Sequence, residues 1–280
     1  MSQIAKPSGG DRAGRTLVLV GCGKMGSALL RGWIADRIAG RFLVVEPAGA
    51  VADFAAEGAV SWYRSAEELP AEPAPDAVVF AVKPQIIDAV LPGYRRWAAA
   101  PTLFVSIVAG KTMAGITRHL GPAALVRTMP NTPAAIGRGI TVACADRRVT
   151  TAQRRLCDEL LAAAGERAWV EDEALLDAVT AVSGSGPAYV FLLIEALAEA
   201  GRAVGLPDAL SMRLARSTVA GSAELAQRAE ESPAQLRENV TSPGGTTRAA
   251  LDVLMAEGGL AALLGRAVAA ATARSRELAS

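Results

Sequence analysis

From Thr16 onward, short β-rich runs, some such as VVFAV apolar at every position, alternate with stretches whose apolar residues recur every three or four places. TLVLV at 16–20 has the first pattern, and Lys24 to Asp36 has the second, with Met25, Ala28, Leu29 and Trp33 on one helical face. FLVVE at 42–46, DAVVFAV at 76–82, TLFVSIV at 102–108, ALVRTM at 124–129 and GITVAC at 139–144 continue the strand series. A strand apolar throughout is one buried on both faces, as in a parallel sheet. The alternation predicts an α/β fold, with an N-terminal Rossmann-type doubly wound sheet over residues 16–170. Residues 1–15 are polar and Gly/Ser-containing, and read as a frayed tail.

From about residue 171 the chain reads as helices only, predicting an all-α domain over 171–280. Pro187 suits a first helical turn after a flexible Ser183-Gly184-Ser185-Gly186, with Ser185 or Gly186 as the cap. That helix should stop at Gly205, before Pro207. Further helices are expected over Asp208 to Ala229, after Gly245, and from Leu260 to Glu277. Several look apolar on more than one side, which predicts pairing with a second copy. The most apolar run, Ala188 to Ile194, is cut by Glu195 and is too short to span a bilayer, so no membrane partner is expected.

Composition narrows the chemistry. The 29 Lys plus Arg nearly balance 28 Asp plus Glu, which gives no footprint for nucleic acid. His119 is the single histidine, so neither a Ser-His-Asp triad nor a multi-histidine metal site is expected. Cys22, Cys144 and Cys157 fit reduced thiols in a cytoplasmic protein, at spacings that suggest no zinc or redox pair. Only Lys6, Lys24, Lys83 and Lys111 are lysines.

The loops carry the signals. Gly21-Cys22-Gly23-Lys24-Met25-Gly26 is a G-x-G-x-x-G between a strand and a helix. Gly21 permits the turn, Gly23 admits a pyrophosphate, and Gly26 lets helix pack on strand. An ordinary βα turn would share the spacing. Glu46 ends the second strand, where a carboxylate accepts from an adenosine ribose and disfavours a 2′-phosphate, although Arg41 is nearby in sequence. Ala81-Val82-Lys83-Pro84 and Ile107-Val108-Ala109 end further strands on the expected cofactor edge, as does Arg127 to Pro133. Lys24, Lys83 and Lys111 all fall in these loops, each an ammonium suited to a phosphate. Before the helix near Arg248, Ser242-Pro243-Gly244-Gly245-Thr246-Thr247 offers successive amides to an anion, or else a well-capped turn.

VGCGKMG, AVKPQ, SIVAGKT, RTMPNTP, DAVTAVSGSGPAYVF and TSPGGTTRAAL, in this order over residues 16–278, resemble the pyrroline-5-carboxylate reductase family. The resemblance implies hydride transfer from NADH or NADPH to the C=N bond of 1-pyrroline-5-carboxylate, giving proline, without a metal. It implies a dinucleotide on Gly21 to Gly26, Ala81 to Pro84 and Ile107 to Ala109, with Asn239 also near the cofactor. It implies that Gly245, Thr246 and Thr247 hold the carboxylate, that the Thr247 hydroxyl lies near the ring nitrogen, and that Glu173 is near the substrate. A homodimer or a ring of dimers is implied, with the helical site residues contributed across the dimer interface. Glu46 departs from the small polar residue usual there in users of NADPH, and Met255 departs from an acidic or amide residue. Among rivals, a hydroxy-acid dehydrogenase would need a Lys or His in the helical half, and residues 172–280 contain neither. A non-catalytic dinucleotide sensor is the other alternative.

Overall fold

Residues 12–278 are described in the computed structural model. The apolar runs form one eight-stranded sheet: β1 (Thr16–Val20), β2 (Arg41–Val45), β3 (Val60–Tyr63), β4 (Ala77–Phe80), β5 (Leu103–Ser106), β6 (Ala124–Met129), β7 (Gly139–Ala145) and β8 (Gly165–Val170). Their order is β3-β2-β1-β4-β5-β6-β7-β8. All neighbours are parallel except β6 with β7. The chain enters at β1, steps out to β3, then returns to lay β4 on the other side of β1. Such a reversal leaves a crevice at the carboxyl ends of the strands.

Strands β1, β4 and β5 are buried at every residue, and alternate side chains feed opposite faces. Leu17, Leu19, Val79 and Val105 join one core with α1 (Lys24–Ala35), through Leu29, Leu30 and Trp33. Val18, Val20, Val78, Phe80 and Phe104 join the other. That second face is covered by α2 (Ile87–Val90), the 3₁₀ turn Leu91–Trp97, and α3 (Met113–Leu120). Helix α4 (Thr151–Ala162) returns to the first face, and its Leu160 carbonyl accepts from Trp33 Nε1 at 2.8 Å. This is the expected doubly wound fold.

The strand pattern misses two members. In β3 and β8 most side chains are half-buried or exposed, and Glu166 and Arg167 interrupt the second, so neither reads as apolar throughout. Both lie at the margins of the sheet. Residues 1–11 of the expected tail lie outside the described residues. Its last residues belong to the fold, since Arg12 and Arg15 reach Glu159 at 3.2 and 2.9 Å.

Two compact units are present, one running to Gly184 and including the end of the chain from Thr272, the other spanning Ser185–Ala271. In the first, α5 (Leu175–Val179) leads into a π-helical turn, Thr180–Gly184. The second holds α6 (Gly186–Ala203), α7 (Asp208–Arg228), α8 (Pro233–Asn239), α9 (Thr246–Leu254) and most of α10 (Leu260–Leu278). Helix α6 starts where expected, with Ser185 as its N-cap and Pro187 in the first turn, after a bend at Ser185. The Ser185 side chain makes no capping bond, and the π-helical turn brings the preceding winding up to it, so Leu175–Ala203 is a succession of helical turns. The resulting 29 residues are long and apolar enough to cross a membrane by length and composition, which corrects the short-run reading. Within one chain this helix stays largely uncovered, with Phe191 and Leu192 58% and 63% exposed.

Candidate active site

Three parallel strands end side by side and carry the glycine loop and its neighbours. Ala81 N–H donates to Val20 O at 2.8 Å, and Ile107 N–H to Phe80 O at 3.1 Å. Gly21–Gly26, Ala81–Pro84 and Ile107–Ala109 therefore share one sheet edge. Ser106, fully buried, holds the last of these turns by accepting from Val108 N–H on its Oγ at 3.3 Å.

The glycines divide their work. Gly21 has φ +89°, and a Cβ there would meet Ala81 O and Val82 Cγ1 at 2.9 Å each. A Cβ on Gly26 would sit 2.3 Å from Gly21 O. Gly23 is the opposite case, with no atom within 4 Å of its Cβ position. It is the N-cap of α1 and makes no side-chain capping bond. The turn is closed toward the protein at two glycines and open to solvent at the third, where the helix presents its positive end. That shape fits a dinucleotide pyrophosphate. Ser27 Oγ fastens the turn from below by donating to Cys22 O at 2.9 Å.

Cys22 is buried, and burial is the main cause that raises its thiol pKa, with Glu46 adding to it and Ser27 opposing. Burial likewise raises Cys144 and Cys157. All three are expected to resist iodoacetamide at neutral pH until the protein unfolds, since the thiolate is the reactive form. Mass spectrometry of native and denatured samples checks this.

Glu46 turns into the glycine loop. Its Oε2 accepts from Cys22 N–H at 2.9 Å, and its Oε1 from Ala48 N–H at 3.3 Å. Arg41 begins β2 and Glu46 follows its end, so the two lie at opposite edges of the sheet. Of the loop lysines, Lys24 and Lys83 are exposed. Lys111 is engaged, with its Nζ donating to Asp88 Oδ2 at 2.7 Å. His119 is partly exposed, 3.9 Å from Asp88.

Glu173 lies in the same unit, tied to two other elements. Its Oε1 accepts from Met113 N–H at 2.7 Å and from Arg127 Nη1 at 2.9 Å. The Arg127 side chain is 6% exposed and that of Glu173 29%. Arg127 is the partner that sequence reading missed, although an arginine inside an apolar strand is a signal that a carboxylate must lie near. Glu173→Ala leaves a buried guanidinium uncompensated. Breaking a fully buried pair would cost more, but solvent reaches the Glu173 side of this one. A loss of about 2 kcal/mol is therefore expected, read from a chemical denaturation midpoint.

Asn239, Gly245, Thr246 and Thr247 belong to the second unit. Asn239 ends α8 and its Oδ1 accepts from Gln235 Nε2 at 3.0 Å. Gly244, at φ +69°, turns the chain so that Gly245 becomes the N-cap of α9, without a side-chain capping bond. Thr246 is exposed and Thr247 half-buried in the first turn of that helix.

Comparison with known proteins gives a family model for each part of the chain. Residues 173–278 match the family model "Pyrroline-5-carboxylate reductase dimerisation", and residues 16–110 match "NADP oxidoreductase coenzyme F420-dependent". The pyrroline-5-carboxylate reductase of Pseudomonas aeruginosa is 41% identical over 266 residues, covering 94% of this chain and 96% of that one. The solved reductase of Coxiella burnetii superposes with a TM-score of 0.86 at 34% identity, over 94% of this chain and 98% of that one. That of Plasmodium falciparum, with NADP bound, gives 0.79 at 31%, over 96% and 100%. With its glycine turn, its helical second unit and a relative this similar along nearly its whole length, the chain belongs to the pyrroline-5-carboxylate reductase family.

Proposed function

We propose that this protein reduces 1-pyrroline-5-carboxylate to proline, using NADH or NADPH. The observation that carries the reading is the joint presence of a glycine turn open only at Gly23 and the near-full-length likeness to reductases of this name. When bound, the reduced nicotinamide supplies a hydride to the C=N carbon. The chain's own residues have a modest task, because a protonated cyclic imine is already electrophilic and needs no nucleophile. The amides from Gly23 into the start of α1 hold the pyrophosphate, those of Gly21 and Cys22 being taken up by Val45 O and Glu46 Oε2. The Gly245, Thr246 and Thr247 amides at the start of α9 hold the substrate carboxylate, again at the positive end of a helix. The Thr247 hydroxyl orients or shares the proton on the ring nitrogen. Fixing both reactants in this way removes the entropic part of the barrier.

Glu173, paired with Arg127, braces α3 against β6 and positions the neighbouring loops, rather than carrying a proton itself. A dimer covers the exposed apolar stripe of α6, and the match to a dimerisation family supports this. Three buried, unlinked thiols suit a reducing cytoplasm. The decisive test follows nicotinamide absorbance with purified protein, pyrroline-5-carboxylate and each cofactor in turn. Oxidation with the imino acid, and none with an acyclic amino acid, is the expected result. Oxidation of neither cofactor overturns the reading.

A further inference from the structure

We infer that Glu46 makes this enzyme select NADH over NADPH, by fixing a carboxylate where the adenosine ribose must lie. The inference rests on the reading of the chain as a nicotinamide-dependent reductase. Glu46 follows the last residue of β2, beside the end of β1 that feeds the glycine turn. This is the place in a dinucleotide fold where a carboxylate accepts from ribose hydroxyls. The side chain is not free to swing out of the way. Oε2 is held by Cys22 N–H at 2.9 Å and Oε1 by Ala48 N–H at 3.3 Å. The carboxylate is thus part of the phosphate turn itself, and moving it aside would strip the Cys22 amide of its acceptor. Two carboxylate oxygens have about four acceptor positions, so both backbone bonds leave room for ribose hydroxyls.

A 2′-phosphate would bring a second anion to this spot, and nearby residues supply little to neutralise it. The segment after Glu46, Pro-Ala-Gly-Ala-Val-Ala-Asp-Phe-Ala-Ala at 47–56, contains no lysine, arginine, serine or threonine. Arg31 is committed to Asp53, with Nη2 to Oδ2 at 2.8 Å, and lies over the Phe54 ring. Arg41 begins β2, at the far edge of the sheet. Arg64 is the remaining neighbour in register, one strand over, because Val45 pairs with Tyr63. Its backbone N–H donates to Glu68 Oε2 at 2.7 Å, and its side chain is exposed. A solvated arginine one strand away offsets the charge less than a carboxylate fixed within the turn opposes it.

The test is direct binding, read by quenching of tryptophan fluorescence as NADH or NADPH is titrated into the purified protein without substrate. Like charges a few ångströms apart, partly screened, are expected to give NADH an advantage of about tenfold or more in Kd. Glu46→Gln keeps a carbonyl oxygen for the Cys22 amide but removes the charge, so the ratio should fall to about threefold or less, mainly by tighter NADPH binding. Arg64→Ala should leave NADH affinity unchanged and widen the ratio if it moves it at all. A wild-type protein that binds NADPH as tightly as NADH overturns the inference. So does a Glu46→Gln ratio equal to the wild-type one. Failure to reduce pyrroline-5-carboxylate would instead overturn the reductase reading and leave the binding ratio standing.

Discussion

Replacing Thr247 by alanine is expected to lower kcat about a hundredfold, the low end of what one positioned proton-handling group contributes. The variant should still fold. Thr247 is half-buried in the first turn of α9, and alanine is a better helix former than threonine. Thermal unfolding should therefore stay within the small range usual for changes outside the core. Cofactor affinity should also be unchanged, because Thr247 is in none of the loops proposed to hold the dinucleotide, Gly21–Gly26, Ala81–Pro84 and Ile107–Ala109. The informative control is Thr247→Ser, which restores the hydroxyl and should recover most of the lost turnover. If the alanine variant keeps kcat within about threefold, or serine is as impaired as alanine, the hydroxyl has no part in the chemistry.

Much of the fold was legible because its central strands are buried on both faces. β1, β4 and β5 are buried at every residue, and all but the terminal Thr16 and Ser106 are apolar, so they stood out as apolar runs. The marginal strands escaped for the opposite reason, with Ser61 interrupting β3 and Glu166 and Arg167 interrupting β8. The Ser-Gly-Ser-Gly run marked a helix start, with Ser185 the N-cap and Pro187 in the first turn. The π-helical turn Thr180–Gly184 just before that helix had no sequence signal; there Gly184 lies close to the Met129 side chain, with Cε 2.5 Å from where a Cβ would be.

At the candidate site, the shared sheet edge of the three loops proposed to hold the cofactor was legible from one rule, since each follows a parallel strand of the same sheet. The Glu173–Arg127 pair was not, because its members are 46 residues apart and only the fold brings them together. Lys111 shows the limit of reading residue type alone. A lysine in a phosphate-edge loop looked like an anion ligand, yet its ammonium is taken up by Asp88, a residue no motif singled out.

The glycine turn offers a sharper separation of folding from binding than any charged residue does. Gly26→Ala is expected to weaken cofactor binding at least a hundredfold and to destabilise the protein by about 1–3 kcal/mol, the usual range for overpacking. Its Cβ would lie 2.3 Å from Gly21 O, so either α1 or the turn must move. Neither moves freely. Gly21 N–H is bonded to Val45 O at 2.9 Å, and a Cβ on Gly21 would itself meet Ala81 O, so the backbone is closed in on that side. Helix α1 is pinned by Trp33 on Leu160 O and by Ser27 on Cys22 O. Gly23→Ala provides the contrast. Gly23 has φ −70°, a value alanine adopts without strain, and nothing in the protein lies within 4 Å of the new methyl group. Its stability should match the wild type while NADH affinity drops by about tenfold or more, because the methyl occupies the approach reserved for the pyrophosphate. Paired denaturation and fluorescence titrations read both quantities. Normal cofactor affinity in Gly23→Ala would mean that the open side of the turn does not face the dinucleotide.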